Sequence, residues 1–145
     1  MRDRENEVTM LSIRGIDHLV FRTTDLGAML AFYQGILGCQ LDRELPEEGL
    51  TQLRAGKALI DIVTCDSPLG RLGGGPPQQD GRNVDHICLL IEAMEEQTLL
   101  DYLAHHGIAT QGFARRYGAQ GFGRSLYIHD PEGNVVELKL ANEEP

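Results

Sequence analysis

Cysteine is scarce in this sequence, with three residues among 145. Cys39, Cys65 and Cys88 form no CxxC pair, and an odd number does not fit the paired disulfides of a small secreted scaffold. We therefore expect three reduced thiols with no redox role.

A long apolar segment is absent from the start of the sequence. Residues 1–11 are mostly charged or polar, whereas a signal peptide or a membrane anchor needs a continuous apolar core. We expect this segment to be a frayed terminus and the protein to stay in the cytoplasm.

Positive charge is also in deficit, because 13 Lys and Arg stand against 22 Asp and Glu and the formal net charge is −9. A surface of this sign repels phosphate backbones and anionic lipids, so neither nucleic acid nor a membrane is an expected partner. The remaining composition, 41% hydrophobic and 24% charged, is that of an ordinary globular chain with one hydrophobic core.

The sequence does contain an internal repeat. Residues 16–21 and 84–89 are short apolar stretches, and each carries an Asp-His pair that ends in His18 or His86. Stretches of this length and composition are typical of β-strands. We therefore look for two copies of one structural unit.

An amphipathic helix is predicted after each of these strands. In the first copy Asp25 or Thr24 is a suitable N-cap, and Gly38 ends the helix. In the second copy Gly107 ends it. The apolar residues that recur at helical spacing are Met29, Phe32, Tyr33 and Ile36 in the first copy and Leu99, Leu100, Leu103 and Ala104 in the second.

Strands are predicted again beyond each helix, with a glycine-containing turn between them. The last strand of each copy carries one acid between aliphatic residues, Asp61 in the first and Glu137 in the second. Between the copies, residues 66–82 are rich in Gly and Pro and predict a flexible connector. The predicted strands of this part cover residues 50–53, 58–63, 125–129 and 134–140.

Each copy has one apolar face that it cannot bury alone, so the two copies are expected to pair. We predict an α+β fold in which paired βαβββ modules form one cup-shaped mixed sheet with the helices outside. We expect a single domain with short tails: module one at 13–64, a linker at 65–82, module two at 83–141, and tails at 1–12 and 142–145.

Four repeated side chains are candidate metal ligands: His18, Asp61, His86 and Glu137. Because strand side chains alternate between faces, pseudo-twofold pairing would bring a histidine and a carboxylate from each module to one centre. This set suits Zn²⁺, Ni²⁺, Fe²⁺, Co²⁺ or Mn²⁺, with water in the remaining positions, as in catalytic sites. Each residue alone also fits a structural role, but the repetition favours a metal site.

With these motifs the sequence resembles the vicinal oxygen chelate superfamily. This superfamily contains glyoxalase I, fosfomycin-resistance thiol transferases, extradiol dioxygenases and bleomycin-binding proteins. The resemblance rests on the two Asp-His pairs, on residues 30–38 of the first helix and on residues 127–137. It covers residues 13–141, and the sequence is most similar to small glyoxalase-domain proteins.

The resemblance implies a divalent-metal-dependent lyase or isomerase of the glyoxalase type. Its substrate would be a small α-hydroxycarbonyl or its thiol adduct, converted through an enediolate beside one metal ion per site. Glu137 is the expected general base and Asp61 the second catalytic group, although glyoxalase I usually has Glu at the position of Asp61. Glutathione or another thiol is the implied co-substrate, and a homodimer is the implied assembly.

Substrate-binding residues are assigned to the first strand and to the second module. Arg22, four residues after His18, matches an arginine with which bacterial glyoxalase I holds glutathione, whereas Cys65 stands where an asparagine is expected. Residues 115–124 are predicted to be a mobile loop, which either closes over an anionic substrate or is a solvated, flexible connection. The full set is Arg22, Arg116, Tyr117, Arg124 and Tyr127.

Two other functions stay open. His18, His86 and Glu137 alone form the triad of a dioxygenase or of a fosfomycin-type thiol transferase, but residues 117–120 lack the upstream histidine of the dioxygenases. The third possibility is a non-catalytic binding protein of the bleomycin-resistance type. Those relatives lack the metal ligands that this sequence retains.

Overall fold

The computed structural model describes residues 10–142, so most of the predicted N-terminal tail lies outside the described residues. Within them, eight strands and three α-helices follow one another, and a π-helical stretch, Ala31–Ile36, continues directly from α1. In chain order the elements are β1 (His18–Thr23), α1 (Leu26–Leu30), β2 (Gln40–Leu45), β3 (Leu50–Ala55), β4 (Ala58–Thr64), α2 (Pro68–Arg71), β5 (His86–Ile91), α3 (Glu96–His105), β6 (Ala114–Gly118), β7 (Gly121–His129) and β8 (Val135–Leu140).

The strands form two four-stranded sheets with the same internal order. The first sheet has the order β1-β4-β3-β2 and the second β5-β8-β7-β6. In each sheet the first pair is parallel and the other two pairs are antiparallel. The α+β class and the repeated βαβββ module are thus confirmed, but in residues 10–142 no ladder joins the sheets into a single cup.

One hydrophobic core joins the two modules. It contains sheet residues such as Phe21 and Ile128 and helical residues such as Met29 and Leu103, all of them fully buried. The hydroxyl of Tyr102 in α3 also donates to a carbonyl of the π-helical stretch. The modules therefore meet on their helix-covered sides, and the opposite face of each sheet, here called its open face, lies away from the core.

Polar contacts reinforce this docking. The buried hydroxyl of Tyr33 donates to Asp130 Oδ2 of the second module at 2.6 Å. Asn83 binds the backbone of Arg22 twice, since its amide oxygen accepts from the Arg22 N–H at 2.9 Å and its amide nitrogen donates to the Arg22 carbonyl at 3.0 Å. These bonds are specific in direction, whereas the apolar contacts around them are not, so they set how one module sits on the other.

The two predicted helices are present, and the first has an altered pitch. Asp25 is its N-cap, as expected, and its side chain accepts from the N–H of Ala28 at 3.0 Å. Gly38 and Gly107 follow the helices with φ of +83° and +71°, as expected of terminating glycines. No helix within residues 10–142 is long and apolar enough to cross a membrane.

The prediction of a mobile loop at residues 115–124 is wrong. This segment is most of the β6–β7 hairpin, in which Arg115 pairs with Arg124 and Gly118 with Gly121. Gly121, with a φ of +88°, sits at the tight turn between the strands. The many glycines of this stretch belong to a hairpin and not to a flexible connection.

The connector between the modules is more ordered than its composition suggests. It contains α2, which Ser67 caps by accepting from the N–H of Gly70 at 3.1 Å. A side chain on Gly70 would collide with the backbone of Thr64 and Cys65, so α2 packs closely against the end of β4. The three cysteines of the chain are free thiols, as expected.

We predict that Gly70→Ala lowers the free energy of unfolding by about 1–3 kcal/mol, because the added methyl group meets backbone that cannot move aside. Gly75→Ala is the matched control, since that position in the same connector is open. Chemical denaturation of both variants measures the difference. Equal stability of the two would contradict the close packing of α2.

We predict that Tyr33→Phe costs about 1.5–3 kcal/mol, because it removes a buried hydrogen bond to a carboxylate. Burial, and then the charge of Asp130, raise the pKa of the Tyr33 phenol above its usual range. The unfolded chain therefore loses this proton first, and the wild type loses stability as pH rises above about 10. In Tyr33→Phe this alkaline loss is smaller.

Denaturation curves at pH 7 and above pH 10 test both effects. Tyr102→Phe is the control, because its hydrogen bond to the Ile36 carbonyl is exposed, and its cost stays below about 1 kcal/mol. An unchanged alkaline slope in Tyr33→Phe would show that Tyr33 is not the group responsible.

Candidate metal centre

The two modules place a histidine and a carboxylate at the same register. Asp61 on β4 pairs with the residue two positions after His18 on β1. Glu137 on β8 pairs with the residue two positions after His86 on β5. Residues two apart on a strand share a face, so each histidine and its acid lie on the open face of their own sheet.

The histidines are accessible and the acids are not. The side chains of His18 and His86 are 48% and 40% exposed. Asp61 and Glu137 are only 4% and 7% exposed. Each pair therefore combines an imidazole that a ligand can reach with a carboxylate at the base of the same surface.

Both imidazoles are oriented by the aspartate that precedes them. Nδ1 of His18 lies 2.7 Å from Asp17 Oδ1, and Nδ1 of His86 lies 2.8 Å from Asp85 Oδ2. The hydrogen bond to Asp17 raises the pKa of His18, and the charge of Asp61 raises it further. With Nδ1 occupied, Nε2 of each ring is the atom left for a metal ion, which is the usual arrangement around metal-binding histidines.

The second pair has the spacing of two ligands on one ion. Nε2 of His86 lies 3.4 Å from Oε1 of Glu137. Two ligands that are each about 2.0–2.1 Å from a tetrahedral zinc ion are separated by roughly 3.4 Å. The other oxygen of Glu137, Oε2, accepts from the hydroxyl of buried Ser125 at 2.7 Å. Oε1 is therefore the oxygen that faces His86, and the thiol of Cys88 also hydrogen-bonds to this carboxylate.

The first pair is held differently. Both oxygens of Asp61 accept from the amide nitrogen of Gln52, at 3.2 and 3.1 Å. The amide oxygen of Gln52 in turn accepts from Arg43 Nε at 2.8 Å. The carboxylate of Asp61 is thus held at both oxygens, and its side chain is one methylene shorter than that of Glu137.

The four predicted ligands do not converge within one chain. Among residues 10–142, no group of three or more His, Cys, Asp or Glu side chains is arranged to hold a metal ion. The reason is the docking of the modules, which turns their helix-covered sides together and leaves both open faces outward. The chain therefore presents two separate histidine–carboxylate pairs, named here half-site one, with His18 and Asp61, and half-site two, with His86 and Glu137.

Two of the predicted substrate-binding residues lie beside half-site two. The guanidinium carbon of Arg116 is 4.3 Å from the centre of the Tyr127 ring, on the open face. The ring of Tyr127 meets the ring of His86 edge to face, with centroids 5.8 Å apart. Arg116 also donates to the carbonyl and the hydroxyl of Ser125, at 2.6 and 3.0 Å.

Two others lie on the wrong face. Arg124 forms a bidentate ion pair with Glu96 at the start of α3, at 2.7 and 3.0 Å. Tyr117 packs against Phe122, with ring centroids 5.1 Å apart. Tyr117 follows Arg116 directly in β6, and adjacent strand residues point to opposite faces, so the two cannot line one site.

The side chain of Arg22 binds the connector between the modules. Its Nη2 donates to the carbonyls of Gly70 and Gly74, at 3.1 and 2.6 Å, and its Nε is buried without a partner. A cavity of about 470 Å³ lies nearby, at the end of β1 and β4. Its lining residues are Thr24, Thr64, Cys65, Asp66, Gly74 and Pro76. Arg22 thus holds the segment that forms one wall of this cavity.

Several groups around the half-sites were not identified from the sequence. Asp17 and Asp85 belong to the repeated Asp-His pairs, so the repeat itself was a signal for their role. The sequence gave no signal for Gln52 and Ser125, because they lie on strands next to those of Asp61 and Glu137 and no sequence spacing links them to these acids. Lys139 is also buried on the open face, where its ammonium donates to the Gly121 carbonyl at 2.7 Å.

Sequence comparisons place the chain among known proteins. The family model of the Glyoxalase/Bleomycin resistance protein/Dioxygenase superfamily matches residues 15–138. Virulence protein STM3117 of Salmonella typhimurium is 22% identical over 138 residues, which cover 95% of this chain and 92% of that protein. Biphenyl-2,3-diol 1,2-dioxygenase 3 of Rhodococcus globerulus is 30% identical over 127 residues, covering 86% of this chain and 62% of that enzyme.

Solved structures show the same fold. The crystal structure of STM3117 matches with a TM-score of 0.72 at 23% identity, covering 91% of this chain and 100% of that one. Lactoylglutathione lyase from Agrobacterium tumefaciens matches with a TM-score of 0.65 at 22% identity, covering 90% and 96%. At these identities the likeness concerns the fold alone.

Proposed function

Because the chain belongs to the glyoxalase/bleomycin resistance protein/dioxygenase superfamily, we propose that it is a divalent-metal-dependent lyase or isomerase of the glyoxalase type. Its substrate is a small α-hydroxycarbonyl or the thiol adduct of one. The observation that carries this proposal is the pair of half-sites, in which a reachable imidazole and a buried carboxylate stand at the same register of two equivalent sheets.

A homodimer completes the site. Half-site one of one chain meets half-site two of its partner, and a twofold axis makes two equivalent centres. β1 and β5 are each one of the two edge strands of their sheet, with β2 and β6 at the opposite edges. Pairing of β1 with the partner's β5 would extend both sheets. Val20 and Leu90, on the open faces of these edge strands, are 47% and 51% exposed and would be covered. The expected cup-shaped sheet is then a property of the dimer.

The residues of the combined site fit a divalent metal. It offers the Nε2 atoms of His18 and His86 and the carboxylates of Glu137 and Asp61, with each imidazole held at Nδ1. Nitrogen and oxygen ligands of this kind suit Ni²⁺, Zn²⁺, Fe²⁺, Mn²⁺ or Co²⁺. When bound, such an ion supplies positive charge to two neighbouring oxygens of the substrate.

The chain itself supplies the proton transfer. Glu137 takes the C–H proton as general base, because Ser125 holds Oε2 and leaves Oε1 toward the open face. Asp61, brought by the partner, is the second acid–base group: it receives this proton from Glu137 and delivers it to the neighbouring carbon, so that both carboxylates end as they began. Tyr127 walls the site beside His86 and limits the access of water.

The distance between half-site one and the cavity near Arg22 distinguishes two classes of substrate. Strands rise about 3.3 Å per residue, so Thr24 lies roughly 20 Å along the chain from His18. A small α-hydroxycarbonyl cannot span this distance, whereas an extended thiol adduct such as that of glutathione reaches toward the cavity. Assays with methylglyoxal, with and without glutathione, distinguish the two substrate classes.

The relative that is 30% identical is a dioxygenase, and this favours a metal-dependent oxygenase as the second candidate. The same half-sites would serve it. Oxygen consumption with catechols tests this candidate, and thiol addition to fosfomycin tests a thiol transferase. A protein that only shelters a small molecule, as in bleomycin resistance, would purify without stoichiometric transition metal.

We predict that wild type binds divalent metal, and that His18→Ala and His86→Ala each abolish tight binding. Mixed after partial denaturation and refolding, the two variants recover metal, because a mixed dimer contains one site with both histidines. Elemental analysis, with sedimentation to measure the dimer, gives both results. If every site were built within one chain, the mixture would stay empty.

We predict that Glu137→Gln lowers turnover by about 10²–10⁴-fold with a small change in KM, because glutamine cannot accept the proton. Metal content is measured in the same samples, so that loss of the ion is separated from loss of the base. Glu96→Gln, on the opposite side of the second sheet, is the control and keeps full turnover. Unchanged turnover in Glu137→Gln would remove Glu137 from the mechanism.

A further inference from the structure

We propose that Arg116 is a positioning residue that holds both ligands of half-site two, Glu137 through Ser125 and His86 through Tyr127. This inference rests on the proposed function, since it assumes that half-site two holds the metal ion. It also replaces the substrate-binding role expected for Arg116 from the sequence.

The first connection runs through hydrogen bonds. Nη1 of Arg116 donates to Ser125 Oγ at 3.0 Å and to the Ser125 carbonyl at 2.6 Å. With Arg116 donating to it, the Ser125 hydroxyl directs its own proton to Glu137 Oε2, at 2.7 Å. Ser125 is fully buried and Glu137 nearly so, which strengthens these bonds and keeps water from replacing them. The rotation of the Glu137 carboxylate is thereby restricted, and Oε1 stays toward His86.

The second connection runs through ring packing. The Arg116 guanidinium lies over the face of Tyr127, 4.3 Å from its centre, and the same ring meets His86 edge to face. Cation–π and edge-to-face aromatic contacts of this kind are attractive and favour a defined mutual orientation of the groups. Asp85 fixes one end of the imidazole at Nδ1, and Tyr127 restricts the tilt of the ring. Arg116 thus acts on both ligands from β6, two strands away from β8.

Half-site one has a counterpart of the first connection, since Arg43 donates to Gln52 and Gln52 donates to Asp61, but the described contacts of His18 include no aromatic ring that links it to Arg43. There a single amide nitrogen, that of Gln52, is shared by both oxygens of Asp61, so neither oxygen is singled out to face the imidazole.

In half-site two Ser125 holds one oxygen of the Glu137 carboxylate, Cys88 also hydrogen-bonds to this carboxylate, and the other oxygen, Oε1, lies 3.4 Å from an imidazole nitrogen of His86. The two ligands of half-site two are therefore already oriented before a metal ion binds. Arg116 contacts both Ser125 and Tyr127, the residues through which these ligands are held.

The test compares four variants of the full chain with wild type. Arg116→Ala removes both connections, and Ser125→Ala removes only the connection to Glu137. Ser125→Thr restores the hydroxyl, and Arg115→Ala is the matched control, because the neighbouring guanidinium stacks on Phe122 on the other face. Thermal melts confirm that each variant is folded before it is measured.

The first readout is the affinity for Co²⁺, measured by competition with a chromophoric chelator together with the visible Co²⁺ spectrum. We expect Arg116→Ala and Ser125→Ala to bind about 10–100-fold more weakly, as is typical when groups that orient metal ligands are lost. Ser125→Thr and Arg115→Ala are expected within about twofold of wild type on the same scale.

The second readout needs no metal. In metal-free protein, the His86 ring resonances in histidine ¹H–¹⁵N spectra, assigned by their loss in His86→Gln, shift in Arg116→Ala and stay in place in Arg115→Ala. A folded Arg116→Ala variant with wild-type Co²⁺ affinity and unmoved His86 resonances overturns the proposal. Wild type that binds no Co²⁺ instead contradicts the proposed function, and the ring resonances then decide the role of Arg116 alone.

Discussion

The structure depends on the way in which two half-modules bury their helix-covered sides in one shared core. Each sheet has a single apolar face, and Phe21, Met29, Leu103 and Ile128 bring those faces and their helices into one fully buried cluster. Burial of this area provides most of the stabilisation, while the bond from Tyr33 to Asp130 sets the docking geometry. Because the apolar sides are used in this way, the polar open faces of both sheets remain outside.

The candidate metal centre follows from that constraint. A carboxylate on an open face is stable at 4% or 7% exposure only if neighbouring donors replace the water it has lost. Asp61 receives an amide from Gln52 and Glu137 receives a hydroxyl from Ser125, so the two acids differ in how much capacity remains for a ligand. Two equivalent positions therefore differ chemically. In the proposed dimer site, half-site two holds its ligands in position and half-site one supplies the remaining ligands.

Membership in the superfamily does not by itself select one reaction for this chain. The chain shares its fold with a lactoylglutathione lyase and is 30% identical to a dioxygenase, and these enzymes have different chemistry. A fold that supports several reactions places the choice among them in the residues around the metal. In this chain the residues beside the two histidine–carboxylate pairs are Ser125, Tyr127 and Arg116 at half-site two and Gln52 at half-site one, and a cavity lies near Arg22.

The sequence by itself determined the module repeat, the core helices and the superfamily, and it proposed the residues of both half-sites, because each depends on a local pattern. The Asp-His pairs, the acids between aliphatic residues and the glycine helix ends are readable within one element. Only the tertiary structure decided which faces meet, that residues 115–124 lie in a hairpin, and that Ser125 and Gln52 hold the acids. Those features depend on strand order and module docking, which join residues that no sequence period connects.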